Sequence, residues 1–108
     1  MTVKELAKEL NFEVLTMPSP ERVISGVYIG DLLSWVMGRA KADDVWITIM
    51  SNINVVAVAS LADVSCVILA EGVTLDAEVL ATAAEKSVNI ISSELSAFEI
   101  ASKLVGNV

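Results

Sequence analysis

Histidine is absent from the 108 residues, and cysteine occurs once. Without histidine the commonest general base is missing, and neither a Ser-His-Asp nor a Cys-His arrangement can be assembled. A lone cysteine cannot form an internal disulfide, so the expected setting is a reducing cytoplasm. Within Val64-Ser65-Cys66-Val67-Ile68-Leu69, Cys66 reads as a small buried hydrophobe, not an activated nucleophile. Basic residues are scarce as well: 7 Lys and Arg stand against 14 Asp and Glu, a net charge of −7. That balance excludes nucleic acid and anionic membrane surfaces, both of which demand a positive face. No apolar run reaches the roughly 18 residues that a membrane span needs. Asn52 and Asn54 interrupt the longest such region, and Asp63 ends it. The opening Thr2-Val3-Lys4-Glu5 reads as the start of an amphipathic helix, not a signal peptide.

Apolar side chains, by contrast, are abundant: 55% of the chain is hydrophobic, with a mean hydropathy of +0.68. A single domain over residues 1–108 can bury only somewhat more than about 60% of its unfolded surface. The surplus apolar surface therefore calls for a partner, and a homodimer is the expected one. Trp35, Val36 and Met37 are the candidate interface, because aromatic and Met side chains are enriched where proteins meet.

The chain is organised around Val45-Trp46-Ile47-Thr48-Ile49-Met50, a strand, followed by the polar turn Ser51-Asn52-Ile53-Asn54 and a nearly all-apolar helix to Ala62. Two more strand–helix units follow. Cys66 to Ala70 leads through Glu71-Gly72-Val73-Thr74 to a helix over 76–86, and Val88 to Ser93 leads to a helix from Ser96. Strands alternating with helices predict an α/β fold with a mainly parallel sheet and crossovers of one hand. Before these units, Thr2 and Glu5 form a capping box, as do Ser96 and Glu99, where Leu95 and Ile100 are spaced as a hydrophobic staple. Phe12 to Met17 reads as a short strand stopped by Pro18 and Pro20. An extended stretch over 23–30 then runs to Asp31, the expected cap of a helix whose apolar face is Leu32, Leu33, Val36 and Met37.

From about residue 24 to 104 the sequence resembles the DRTGG-domain family, in its short stand-alone form. The matching text is Ser25-Gly26-Val27-Tyr28-Ile29-Gly30-Asp31-Leu32-Leu33-Ser34, Val45-Trp46-Ile47-Thr48-Ile49, Asn54-Val55-Val56-Ala57-Val58-Ala59, and Ser92-Ser93-Glu94-Leu95-Ser96-Ala97-Phe98-Glu99-Ile100-Ala101. The resemblance implies an accessory α/β domain of the kind found between CBS domains in some pyrophosphatases and related to the amino-terminal domain of HPr kinase. In those settings it regulates or oligomerises and does not carry the catalytic centre. It further implies, as alternatives, an accessory partner of a redox enzyme such as an iron-only hydrogenase system, or a serine kinase-like enzyme using Ser51 and Glu71. This chain departs from the name-giving motif: Ser51-Asn52 stands where the Asp-Arg pair falls, and Ala70-Glu71-Gly72 keeps one glycine of the Thr-Gly-Gly. Gly38-Arg39-Ala40-Lys41 lacks the flanking glycine and the ending of a phosphate-binding Walker loop.

In an open parallel sheet, ligands bind beyond the carboxyl ends of the strands. That edge is expected to collect Ser51, Asn52 and Asn54, then Glu71, Gly72 and Thr74, then Ser92 and Ser93, with backbone amides able to hold a small anion or nucleotide. The plainer reading is that Ser51 or Asn52, Thr74 and Ser96 are N-caps, each contributing about 1 kcal/mol. Asp31 with Asp43 and Asp44 reads as solvated acids, not a magnesium site. Glu71 and Glu94 lack the burial that an acid–base pair would need. No catalytic residue, metal or cofactor is assigned.

Overall fold

The computed structural model describes residues 1–108. The elements are α1 (Val3–Glu9), β1 (Glu13–Thr16), β2 (Gly26–Ile29), α2 (Leu33–Arg39), β3 (Asp44–Thr48), α3 (Asn54–Ala62), β4 (Cys66–Leu69), α4 (Ala77–Glu85), β5 (Ile90–Ser92) and α5 (Ala97–Leu104). The five strands form one sheet in the order β1-β5-β4-β3-β2. β2, β3, β4 and β5 run parallel, and β1 joins β5 antiparallel at the far edge. The α/β class and the mainly parallel sheet expected from the alternating pattern are therefore what the chain forms.

Successive strands step across the sheet in one direction, so their crossover helices share one face. Val36 of α2, Val55, Val56 and Ala59 of α3 and Ala83 of α4 pack there on Trp46, Val67, Leu69 and Ile90. The opposite face holds Val45, Ile47, Cys66, Ile68 and Ile91 beneath Val3 and Leu6 of α1 and Ile100 and Leu104 of α5. Each face buries a cluster of 13 residues, which is why β3 and β4 read as continuous apolar runs instead of alternating ones. Trp46 is fully buried, and its indole nitrogen donates to the Gly30 carbonyl at 2.8 Å. That bond lets a large polar-tipped ring sit in the core.

Both capping boxes are present: Glu5 N donates to Thr2 Oγ1 at 3.2 Å, and Glu99 N to Ser96 Oγ at 3.2 Å. Glu5, held by the Thr2 backbone and hydroxyl, has its pKa lowered. Leu95 and Ile100 pack in the same core, as the staple spacing predicts.

Other local expectations give way to tertiary contacts. Asp31 does not cap α2, whose N-cap is Leu32 with no side-chain cap bond. Thr74 does not cap α4 either; that helix begins after Asp76. Val36 is fully buried, so it belongs to the core and not to an exposed interface. Trp35 and Met37 do remain on the surface, at 52% and 43% exposure, and Arg39 stacks 3.7 Å from the Trp35 ring centroid. The expected apolar face of α2 is narrower than its spacing suggests. Leu32 lies in the extended N-cap and is solvent-exposed, and only Leu33 and Val36 reach the core.

The amino end of the sheet carries polar ties. Arg22 pairs with Asp43 at 2.8 Å and with Asp63 at 3.1 Å, and it also donates to the Asp63 carbonyl. Burial opposes the charge of Arg22, but the two carboxylates outweigh it and raise the guanidinium pKa. Buried Asn89 donates to the carbonyls of Ser19 and Ser65 and accepts from Ser19 N, pinning the Pro18–Pro20 turn to the sheet.

Candidate functional site

A cleft of about 320 Å³ opens at the carboxyl end, between β5, the start of β1 and the turn after β4. Gly72, Thr74, Ser92 and Ser93, all expected at this edge, line it together with Glu94. Ser51, Asn52, Asn54 and Glu71 do not. Ser51 and Glu71 are exposed, so a serine-kinase reading built on them has no enclosed centre here.

The first unit is occupied by the protein itself. At the end of β3, Asp31 Oδ1 accepts from Thr48 Oγ1 at 2.7 Å and from Ile49 N at 3.0 Å. An internal carboxylate thus takes the donors that an anion would seek. Asn52 Oδ1 accepts from Asn54 N at 2.9 Å, which folds the turn before α3. Asp43 and Asp44 lie at the other end of β3, so they cannot share an ion with Asp31.

In the second and third units several of the backbone donors are also engaged. Glu71 N donates to the Leu95 carbonyl and Gly72 N to the Ser93 carbonyl, both at 2.9 Å. Leu95 N donates to Ser93 Oγ at 3.1 Å. Gly72 has φ +74°, and a Cβ there would come within 2.6 Å of Glu94 Oε2. Glycine therefore does two things at this position: it permits the left-handed turn and lets the Glu94 carboxylate lie over the backbone.

Sequence reasoning missed Glu13. It lines the cleft because β1 is antiparallel, which brings its first residue to the carboxyl edge. Glu13 stands directly opposite Ser92 in the register, so the two side chains share a sheet face. No local signal in the sequence announces this, since it depends on which strand β1 chooses. Neither Glu13 nor Glu94 has an ionic partner; the ion pairs of the structure are those of Arg22. Cys66 lies deep in the other face, where burial pushes its thiol pKa up to about 12 despite opposing influences from Arg22 and Ser65. No group of three or more His, Cys, Asp or Glu side chains is arranged to hold a metal ion.

No curated protein sequence matches the chain. Among solved structures, the fold is similar to the CBS and DRTGG domains of the regulatory region of Clostridium perfringens pyrophosphatase, determined with its activator diadenosine tetraphosphate. The TM-score is 0.76 at 15% identity, over 99% of this chain and 47% of that one. This chain therefore spans about half of the neighbour's length. The family model of the DRTGG domain matches residues 5–106, extending the resemblance backward from β2 to include α1 and β1. The chain belongs to the DRTGG domain family.

Proposed function

We propose that this chain is a non-catalytic regulatory module that receives a small nucleotide-type ligand in the carboxyl-edge cleft and works as a homodimer. The observation that carries the ligand reading is the position of the cleft, beyond the carboxyl ends of parallel strands. The likeness to a regulatory region studied with a nucleotide activator supports the same reading. A thermal-shift series with adenine nucleotides tests it. A saturable rise in melting temperature is expected, and a flat series overturns it.

Pairing is supported by the opposite edge of the sheet. Val27 and Ile29 of β2 form an apolar groove of about 610 Å³ with Ala101, Leu104, Val105 and Val108. Phe98, 79% exposed, continues the Ala101 and Val105 stripe of α5 at helical spacing. No charged side chain lines the groove, which suits the meeting of two molecules of net charge −7. Trp35 and Met37 belong to α2 on the other side of the sheet. Light scattering at micromolar concentration is expected to give a dimer, and a monomer overturns the pairing.

A further inference from the structure

The cleft has an unusual balance of hydrogen-bonding groups. Its nearby backbone donors at Glu71, Gly72 and Leu95 are spent on protein oxygens. Lining the cavity are the Glu13 and Glu94 carboxylates, the hydroxyls of Thr74 and Ser92, the Asn11 side-chain amide and the unengaged backbone amides of Thr74 and Glu94, with no Lys or Arg among the lining residues. Ser92 is 4% exposed, and its hydroxyl makes no hydrogen bond within the protein. Every fully enclosed side-chain polar atom has a partner, so the Ser92 hydroxyl must keep an opening, and the cavity it lines is the cleft. That hydroxyl is open to a partner from outside, as are the unpaired Glu13 and Glu94 carboxylates of the same cleft.

Resting on the reading of this cleft as the ligand site, we propose that it is a sugar-hydroxyl site. The Glu13 and Glu94 carboxylates accept from neighbouring hydroxyls of a ribose-type sugar, the Ser92 hydroxyl completes the set, and any phosphate of the ligand stays outside. Acceptors select donors: a vicinal diol offers two, whereas a phosphate brings charge of the same sign as both glutamates. Carboxylates at the carboxyl edge of parallel sheets hold ribose hydroxyls elsewhere.

Amide chemical shifts of the full chain, titrated in turn with ribose, adenosine, 2′,3′-dideoxyadenosine, ATP and pyrophosphate, test the proposal. Adenosine and ATP are expected to move the Ser92, Ser93 and Glu94 amides saturably, and dideoxyadenosine to bind at least tenfold more weakly. Ribose alone moving the same amides identifies a free sugar as sufficient; adenosine without ribose identifies a nucleoside. Glu94→Gln and Ser92→Ala, checked for unchanged melting, are expected to weaken adenosine tenfold or more while leaving the amino-end amides unmoved. Equal binding of adenosine and its dideoxy form overturns the sugar site. Pyrophosphate competing with ATP at these amides also overturns it, yet leaves the nucleotide reading standing. Silence toward every probe ends both.

Discussion

The two edges of the sheet are built on opposite principles. β1 is guarded: Glu13 opens it, its pairing with β5 shifts register between Val14 and Thr16, and Pro18 and Pro20 follow. Charge, irregular pairing and proline are devices that keep an edge strand from recruiting another chain. β2 has none of them. Val27, Tyr28 and Ile29 carry no charge, and the exposed apolar side chains of α5 lie beside them. One sheet thus has a polar margin and an apolar one.

The comparison can be sharpened first against the centre that both edges share. Cys66 in β4 has a folded pKa raised from 9.0 to about 12. Its neutral form is the one the fold accepts, so its stabilising share is complete below pH 9 and is lost as pH rises toward 12. The unfolding free energy should fall by about 1.4 kcal/mol per pH unit more steeply than in Cys66→Ala. Urea melts across that range measure it, and parallel slopes would contradict the burial. At the open edge, Ile29→Lys should weaken self-association about a hundredfold while melting stays near wild type, read by sedimentation at several concentrations. At the guarded edge, Gly72→Ala should cost about 1–2 kcal/mol, because φ is positive and Glu94 must move, as chemical denaturation would report. Smallest of all, Ser92→Ala should leave stability within about 0.5 kcal/mol, since its hydroxyl has no protein partner to lose. A large loss there would mean the hydroxyl is already satisfied.

What could be read from the sequence was whatever depends on near neighbours. Thr2 with Glu5 and Ser96 with Glu99 cap their helices because both partners lie within four residues. Cys66 to Leu69 declared itself as a doubly covered strand by unbroken apolarity. Gly72, Thr74, Ser92 and Ser93 came together because a parallel sheet collects its strand ends by topology. Expectations parted from the structure where distant partners decide. Asp31 serves Thr48, seventeen positions away, in place of its own helix. Val36 turns inward against α3 and the sheet, and Glu13 reaches the cleft through the strand that β1 joins. Helical spacing can say that Val36 and Met37 are apolar, but not which of them the neighbouring layer will cover.

The crossover helices all fall on one face, which leaves the other face to be roofed by α1 and α5, the earliest and latest helices of the domain. During synthesis α1 emerges first and waits while every strand is made. The half-core of Val45, Ile47, Cys66, Ile68 and Ile91 stays open until Ile100 and Leu104 arrive. Such late closure by far-separated segments raises contact order and slows the final step. A nascent chain stalled before α5 should therefore engage chaperones strongly, and releasing its last helix should end that engagement.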